Sequence, residues 1–408
     1  MLLRNSNFLY FWFGQTASIF GSRLSDLAIP WIALQLTNSP MQTALITMSS
    51  QLAPLIFSLP AGAWVESRSK IRMAMLSEAA RAVMITLLAI FVFSEQFNEW
   101  VVFFLLFFSG FSGLIFRIST NAMLPSLVGR KHLLDAHNYL EGADAISTFI
   151  GPLLAGFIFT ALGAGWTIAI DAATYFVSLL GICFICFEPN KSSIQKDTLI
   201  KGTTFKLALE GILYMFASPL QRFLSFNHIM LNFLSNAVIL LVIIYSKDSL
   251  NLNPAQTGIL LSAAGLGNIA AVLLLDRMKW LTWRTLYFFS TFVTLIGILC
   301  ISTGNHFYVL FIGMFLFDGA LSMGFVIHGT SRQSVTPDRL LSRISSGGLF
   351  ISGIATITGH LYAGGLAEML GARLGLLFCS VLLVLAILYS LSKKEMRLTL
   401  QELEPEKE

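Results

Sequence analysis

The chain has 408 residues, of which 55% are hydrophobic and only 12% are charged, with a formal net charge of +4. A soluble domain carries roughly a quarter charged residues, so this chain has too little polar surface to be an ordinary soluble protein. Its apolar residues lie in runs of about 20, the length that crosses a ~30 Å hydrocarbon core. Because backbone amides in lipid must be satisfied internally, these runs predict helices, and the sequence lacks the alternating segments of about 10 residues that a barrel needs.

The apolar runs predict twelve transmembrane helices. In chain order, the first six spans are about 8–34, 42–64, 73–94, 100–121, 138–161 and 166–188. The second six are about 219–245, 256–276, 284–303, 306–329, 344–367 and 373–392. The predicted domains are an N-terminal six-helix bundle (1–188), a polar linker (189–218), a C-terminal six-helix bundle (219–392) and a polar tail (393–408).

The basic residues of the short loops predict the orientation of the chain in the membrane. With the N-terminus inside, the cytoplasmic loops carry nearly all of these residues, and the opposite loops carry only Lys247 and Arg373. The sequence therefore predicts a multi-pass protein of the bacterial plasma (inner) membrane. Both termini, the linker and the tail are predicted to be cytoplasmic.

The two predicted bundles share internal motifs. Gly151-Pro-Leu-Leu-Ala-Gly156 corresponds to Gly359-His-Leu-Tyr-Ala-Gly364, an offset of 359 − 151 = 208 residues. Near the start of the second helix of each bundle, Pro40-Met-Gln-Thr43 corresponds to Pro254-Ala-Gln-Thr257, an offset of 254 − 40 = 214. Two sextets with the same motifs predict a duplicated six-helix bundle, in which a substrate site would lie near the midplane between the halves.

The loop after the second predicted helix resembles a known family motif. Its sequence, Gly62-Ala-Trp-Val-Glu66-Ser-Arg68-Ser-Lys70-Ile-Arg72, is similar to the major facilitator loop of a glycine, an acid four residues later and a basic cluster. The loop departs from that pattern because Glu66 replaces the usual aspartate, Ser67 the usual arginine and Ser69 the usual glycine.

A longer block of motifs resembles the macrolide-efflux and enterobactin (siderophore)-exporter branch of the major facilitator superfamily. Its parts are Asn121-Ala-Met-Leu-Pro125, Leu134-Asp-Ala-His-Asn138, Gly151-Pro152 and Ile170-Asp171-Ala172. The resemblance covers nearly the whole chain. It implies the major facilitator fold, an all-α membrane protein with twelve helices in two six-helix pseudo-repeats.

The resemblance also implies a function. The expected activity is secondary active export of small amphipathic, macrolide-like or drug-like compounds by proton antiport and alternating access. The expected partners are a small lipophilic or amphipathic substrate, protons and the bilayer, with the monomer as the working unit. Siderophore or lysophospholipid transport is an alternative, and a non-transporting membrane sensor or scaffold is an alternative of another class.

The sequence does not indicate catalysis. It contains no phosphate-binding glycine-rich loop with a lysine, and no soluble domain that could hold a catalytic constellation, so the chain is predicted not to be an enzyme. We expect no catalytic residue, no metal site and no cofactor. Nucleic acid is not an expected partner, because the basic residues are spread over loop ends where topology already explains them.

Charged residues inside the predicted spans are candidates for function, because an intramembrane charge costs several kcal/mol unless it is paired or hydrated. Asp318 lies about twelve residues, or ~18 Å, into the tenth predicted helix, near the midplane. It is either a proton-coupling group or a neutral packing carboxyl. Arg23 and Asp26, with Asp171, are expected to cluster in the outer half, as a gate and proton-labile site or as a static ion network.

Two further sets of residues are candidates for a hinge and for a cytoplasmic gate. Gly151, Pro152 and Gly156 resemble an antiporter motif of the fifth helix, where the proline removes one backbone hydrogen bond and the glycines provide a smooth surface. Simple helix packing is the alternative for this hinge. The candidate cytoplasmic gate consists of Glu66, Arg68, Lys70, Arg72, Glu78, Arg81, Arg117, Glu141 and Asp144.

Overall fold

The computed structural model describes residues 2, 5–96, 98–185, 211–217, 219–278, 280–304 and 306–392. In this part of the chain twelve long helices follow one another. The N-terminal helices are α1 (Ser6–Thr37), α2 (Pro40–Glu66), α3 (Lys70–Phe93), α4 (Glu99–Val128), α5 (Leu133–Leu162) and α6 (Ala164–Cys183). The C-terminal helices are α7 (Pro219–Ile244, continued by a π-helical turn Tyr245–Ser249), α8 (Pro254–Arg277), α9 (Trp283–Thr303), α10 (Phe307–Val335), α11 (Asp338–Leu370) and α12 (Ala372–Ser392).

Each predicted span coincides with one of these helices. Among the described residues, ten helices are long and apolar enough to cross a membrane, and α2, which bends by 73° between Ser58 and Pro60, counts as an eleventh if its two parts form one span. The helix α1 has the required length, but Arg23 and Asp26 lower its mean hydropathy. Several helices, such as α4 and α10, run past their apolar stretches because backbone hydrogen bonding continues where the chain leaves lipid.

Of the predicted linker and tail, only the end of the linker lies among the described residues. Residues 189–210 and 393–408 lie outside the described residues, so the boundaries of the bundles stay predictions. At the end of the linker range, residues 211–215 are helical. Met215 is buried, and Ser225 of α7 donates a hydrogen bond to the Met215 carbonyl oxygen (2.8 Å).

Helix packing repeats between the two halves. In the N-terminal half, α1 packs on α5 and α6, α2 packs on α4, and α3 packs on α4 and α6. The same pairs recur six helices later, with α7 on α11 and α12, α8 on α10, and α9 on α10 and α12. The halves meet along two seams, α5 against α8 and α2 against α11. Exchanging the two halves turns one seam into the other. The repeat in the sequence therefore corresponds to a pseudo-two-fold symmetry of the fold.

Glycines bring the helices of both seams into close contact near one face of the bundle. We call the face where α1 begins and α12 ends the terminal face, and the other the opposite face. Near the opposite face, a Cβ atom placed on Gly156 of α5 would lie 2.4 Å from the Pro254 carbonyl oxygen of α8. A Cβ atom placed on Gly364 of α11 would lie 2.9 Å from the Pro40 carbonyl oxygen of α2. Only glycine allows these backbones to approach so closely.

At the opposite face, each half also caps a helix of the other half. The Glu368 carboxylate of α11 accepts hydrogen bonds from Ser39 Oγ (2.6 Å) and from the Met41 backbone N–H (2.9 Å) at the start of α2. Thr160 Oγ1 of α5 accepts a hydrogen bond from the Ala255 backbone N–H (3.1 Å) at the start of α8. The first N–H groups of a helix lack partners within the helix, so these two cross-half caps satisfy them. Thr160 and Glu368 are equivalent in the repeat, since 160 + 208 = 368.

Candidate functional site

A cavity of about 580 Å³ lies between the two halves. This volume falls in the range of ~300–1,000 Å³ that is typical of sites for small molecules. A second cavity of about 350 Å³ shares Arg81, Gly113 and Arg117 with the first and continues between α1, α4 and α5 toward the terminal face. Because the seams close the opposite face, the central cavity is reached from the terminal face in this state.

The two walls of the central cavity differ in chemistry. The wall from α7 and α11 contains no arginine, lysine or carboxylate among the described lining residues. Its members are Ser235, Asn236, Ile239, Leu240, Ile243 and His360. The N-terminal half supplies the charged lining residues, which are Arg23, Asp26, Arg81, Arg117 and Asp171. The described charged lining residues therefore all lie on one side of the cavity, among apolar residues such as Ile29 and Ile85, and the other side presents apolar and amide groups.

Arg23 of α1 is the centre of one ion network. Its Nη2 donates hydrogen bonds to Asp144 Oδ1 (3.0 Å) and Thr148 Oγ1 (3.1 Å) of α5, and its Nη1 lies 3.6 Å from Asp26 Oδ2. The side chain crosses α5 at Gly151, where an added Cβ atom would lie 2.4 Å from Arg23 Cβ. Gly151 therefore makes the room through which Arg23 reaches its partners on α5.

Arg81 of α3 is the centre of a second network. It forms an ion pair with the buried Glu78 (3.2 Å) and donates a hydrogen bond to the Tyr175 hydroxyl of α6 (2.8 Å). Its guanidinium also lies over the Tyr175 ring, 4.2 Å from the ring centroid. The Tyr175 hydroxyl is 3.0 Å from Ser22 Oγ of α1. Ion pairing, hydrogen bonding and cation–π contact together hold Arg81 in place.

Two carboxylates of the cavity wall are only partly satisfied. Asp26 is 66% exposed at its side chain and faces the cavity that it lines. Asp171 of α6 is only 1% exposed and accepts a hydrogen bond from Ser25 Oγ through one oxygen. Its other oxygen, Oδ1, has no hydrogen-bond partner among the described residues. The two carboxylates lie within electrostatic range of one another.

The predicted cluster of Arg23, Asp26 and Asp171 is divided between these networks. Arg23 pairs with Asp26 and Asp144, and no ion pair joins it to Asp171 in the part of the chain that is described. Asp144 was predicted to belong to a cytoplasmic gate, and Glu78 and Arg81 with it. Depth along a helix could not show this arrangement, because the pairing depends on which faces of α1, α3, α5 and α6 meet.

Asp318 lies on α10, half-buried, in hydrogen-bonding range of the Asn268 side chain of α8. It does not line either of the two cavities. It does lie within electrostatic range of Arg23 on the other half. Asp318 is therefore placed where a charge in the C-terminal half acts on the ion network of the N-terminal half.

The other gate candidates are exposed in this state. Glu66, Arg68, Lys70 and Arg72 lie at the junction of α2 and α3, where the Arg68 guanidinium stacks 4.8 Å from the Trp64 ring centroid. Arg117 and Glu141 line the second cavity. Among the described residues no ion pair involves any of these six side chains. Their gating role stays a prediction.

The helix-5 motif has two faces with different neighbours. Gly151 faces Arg23 of α1, whereas Gly156 and the Pro152 carbonyl group face α8, where a Cβ atom on Gly258 would lie 2.3 Å from the Pro152 carbonyl oxygen. The helix α5 continues through Pro152 without a break. The motif thus forms part of the seam, and hinge motion at this site stays a prediction.

Sequence reasoning missed several residues of the site. Ser25 and Tyr175 complete the networks, and Thr160 and Glu368 form the cross-half caps. The caps could have been found by extending the 208-residue offset to polar residues at the ends of the repeats. Tyr175 stands four residues after Asp171, so the two share a helical face.

Comparison with known proteins identifies relatives of the chain. The model of a family described as transmembrane secretion effector matches residues 2–407. An uncharacterised major-facilitator-type transporter of Bacillus subtilis (strain 168), YfiS, is 24% identical over 402 residues, which are 93% of this chain and 91% of YfiS. The enterobactin exporter EntS of Escherichia coli O1:K1 / APEC is 22% identical over 91% of this chain and 89% of its own length. Macrolide efflux protein A of Streptococcus pyogenes is 22% identical over only 51% of this chain and 55% of that protein.

Solved structures share the fold. A bacterial homologue of the iron transporter ferroportin in an inward-facing state has a TM-score of 0.69 at 17% identity, covering 96% of this chain and 100% of that one. A bacterial homologue of the human lysosomal transporter Spinster, inward-facing and unoccupied, has a TM-score of 0.71 at 14% identity, covering 96% and 98%. The predicted all-α major facilitator fold is confirmed. The sequence relatives are membrane transporters and not enzymes, as predicted.

Proposed function

This chain belongs to the transmembrane secretion effector family of major facilitator transporters, and we propose that it exports small amphipathic compounds in exchange for protons. Among its relatives are a macrolide efflux protein and an enterobactin exporter. The observation that carries the proposal is the two-sided cavity, whose described charged lining residues all lie on the N-terminal half and whose α7 wall presents Ile239, Leu240 and Ile243. An amphipathic molecule can satisfy both walls at once, whereas a purely polar solute leaves the α7 surface bare.

Alternating access follows from the arrangement of the seams. The cavity continues toward the terminal face, while the opposite face is closed by the two seams and the two cross-half caps. The basic loop residues predict that the terminal face is cytoplasmic, so we assign this state as inward-facing in the bacterial plasma membrane. Release outside then requires α5 to part from α8 and α2 from α11. We propose the monomer as the working unit.

Proton coupling is assigned to Asp318. Its charge attracts Arg23 across the boundary between the halves. Protonation of Asp318 would remove this attraction and leave Arg23 paired with Asp144 and Asp26 of its own half. Proton binding would therefore weaken the electrostatic attraction between the halves. Asp26 and Asp171 are the alternative proton sites. Closure of the terminal face would bring together the now separate charges of Arg117, Glu141 and the α2–α3 junction.

The test is efflux of labelled lipophilic antibiotics and dyes from cells expressing wild type or Asp318→Asn, with and without a protonophore. We expect wild-type efflux to collapse with the protonophore and to be lost in Asp318→Asn. A matched control is Asp248→Asn, which removes an exposed carboxylate outside the cavities, paired with Lys247 at 3.4 Å. Wild-type efflux that persists with the protonophore would refute proton exchange, and an active Asp318→Asn would remove this residue from the coupling.

A second candidate is export of a siderophore. The match to the enterobactin exporter over 91% of this chain favours it. Release of labelled enterobactin by cells expressing the wild type would support this candidate, and no release above empty-vector cells would reject it. Lysophospholipid transport would instead appear as movement of labelled lipid between leaflets of proteoliposomes, with no soluble substrate.

A further inference from the structure

A basic cluster lies buried in the C-terminal half, toward the terminal face and outside both cavities. It brings together two imidazoles, one guanidinium and two hydroxyl groups from three helices, namely His228 of α7, Tyr287 of α9, and His328, Ser331 and Arg332 of α10. The His228 and His328 rings are stacked, with their centroids 4.7 Å apart. Arg332 lies within electrostatic range of both rings and of Tyr287. Apart from His228, which is partly buried, each member is at most 8% exposed.

The Arg332 guanidinium is buried without a counter-charge. Its Nη2 donates a hydrogen bond to Ser225 Oγ (2.8 Å) and lies 3.5 Å from the Gln221 carbonyl oxygen. Its Nε has no hydrogen-bond partner, and no carboxylate forms an ion pair with it in the part of the chain that is described. Arginine stays protonated in proteins, so the loss of a proton does not remove this charge. A buried charge that is neither paired nor neutralised is strongly unfavourable.

The neighbours of Arg332 offer hydrogen-bond donors. The hydroxyl groups of Tyr287 and Ser331 are buried and have no partner among the described residues. The same holds for the indole N–H of Trp283, whose ring packs against that of Tyr287 with the centroids 6.0 Å apart. An indole N–H can only donate, and a hydroxyl group can donate to any acceptor within reach. Unused donors around an unpaired cation are satisfied by an acceptor that carries negative charge and has no proton of its own.

The packing leaves space beside His228. Gly348 of α11 is buried, yet a Cβ atom placed on it would have only one neighbour within 4 Å in the described part of the chain, His228 Nε2 at 3.9 Å. At the adjacent Gly347 the same atom would lie 3.0 Å from Ile212 Cγ1. The helix α11 is therefore loosely packed at Gly348, next to an imidazole that is within electrostatic range of Arg332.

We propose that the basic cluster binds one halide ion, chloride in the cell, as the counter-ion of Arg332. The donors are Arg332 Nε and the hydroxyl groups of Tyr287 and Ser331, and hydrogen bonds to an ionised group are stronger than those between neutral groups. A monatomic ion is favoured over a phosphate or carboxylate group because these donors belong to side chains that are at most 8% exposed. The cluster does not line the substrate cavity, so the proposal is independent of the transported compound.

The test is thermal unfolding of the purified full-length protein in lipid nanodiscs, in sodium chloride and in sodium gluconate at equal ionic strength. Chloride at ten times its Kd favours the folded state about tenfold, so the Tm of the wild type should be higher in chloride by about 2 °C or more. Arg332→Met should have the same Tm in both salts, because no buried charge then needs the ion. Tyr287→Phe keeps the charge and removes one donor, so it should need about fivefold more chloride for the same rise. Arg222→Gln, at an exposed arginine of α7, is the matched control and should respond as the wild type does.

Three results would overturn the halide site. The first is an equal Tm of the wild type in chloride and in gluconate. The second is a chloride response that both variants of the cluster keep unchanged, which would be a general effect of the salt. If Arg332→Met does not fold, an unchanged chloride response of Tyr287→Phe is sufficient to overturn the site. The third is stabilisation of the wild type by phosphate at the same ionic strength and not by chloride, which would indicate a phosphate group as the anion.

Discussion

Substitution of Gly156 by alanine tests whether the seam between α5 and α8 holds the opposite face closed. The added Cβ atom would lie 2.4 Å from the Pro254 carbonyl oxygen and 2.9 Å from Ala255 Cα. Both are backbone atoms, so no side-chain rotation relieves the contact. Ordinary contact begins at 3.4 Å, and α5 and α8 must therefore separate by 3.4 − 2.4 = 1.0 Å.

The strain acts only in the state that is closed at the opposite face. Overpacking in a well-packed interior costs about 1–3 kcal/mol. Since about 1.4 kcal/mol changes an equilibrium constant tenfold, the ratio of the open to the closed state should rise by about 5- to 150-fold. Gly142→Ala is the matched control on the same helix, because its Cβ atom would have no neighbour within 4 Å.

The shift in the populations of the open and closed states is measured as a distance distribution, by pulsed electron–electron double resonance between spin labels at Gln96 and Tyr308. Both positions are exposed at the opposite face, one on each half, and the native cysteines are replaced first. We expect Gly156→Ala to increase the population with the longer distance, and Gly142→Ala to match the wild type. If Gly156→Ala keeps the wild-type distribution of distances, the seam does not determine the closed state and the reasoning is refuted.

Three further predictions concern single contacts. Glu368→Gln keeps the size of one cross-half cap but removes its charge, so the same spin labels should report more of the open state, and an unchanged distribution would argue against the cap. Gly151→Ala would place a Cβ atom 2.4 Å from Arg23 Cβ, so its efflux should fall as far as that of Arg23→Ala, and normal efflux would contradict this packing. Tyr175→Phe removes the acceptor of the Arg81 hydrogen bond, and such bonds to charged groups contribute about 1.5–3 kcal/mol, so the purified protein should melt at a lower temperature. Tyr308→Phe, at a side chain that is 80% exposed, should melt as the wild type does.

Much of the fold could be predicted because its signals are local in the chain. Runs of about 20 apolar residues mark each helix through the cost of exposing polar backbone to lipid. The 208-residue offset between Gly151 and Gly359 indicated two related bundles, and the packing pairs of the two halves repeat accordingly. The family followed from motifs such as Gly151-Pro152 and Asn121-Ala-Met-Leu-Pro125, which are short and contiguous.

The sequence alone determined the helices, the duplication, the family and the presence of costly charges in the spans. Only the tertiary structure decided that Arg23 pairs with Asp144 and not with Asp171. It also decided that Gly151 leaves room for the Arg23 side chain and that Glu368 caps α2. The physical reason is that hydropathy and motifs are properties of neighbouring residues along the chain. An ion pair or a cap depends on how helices far apart in sequence are rotated and packed against one another.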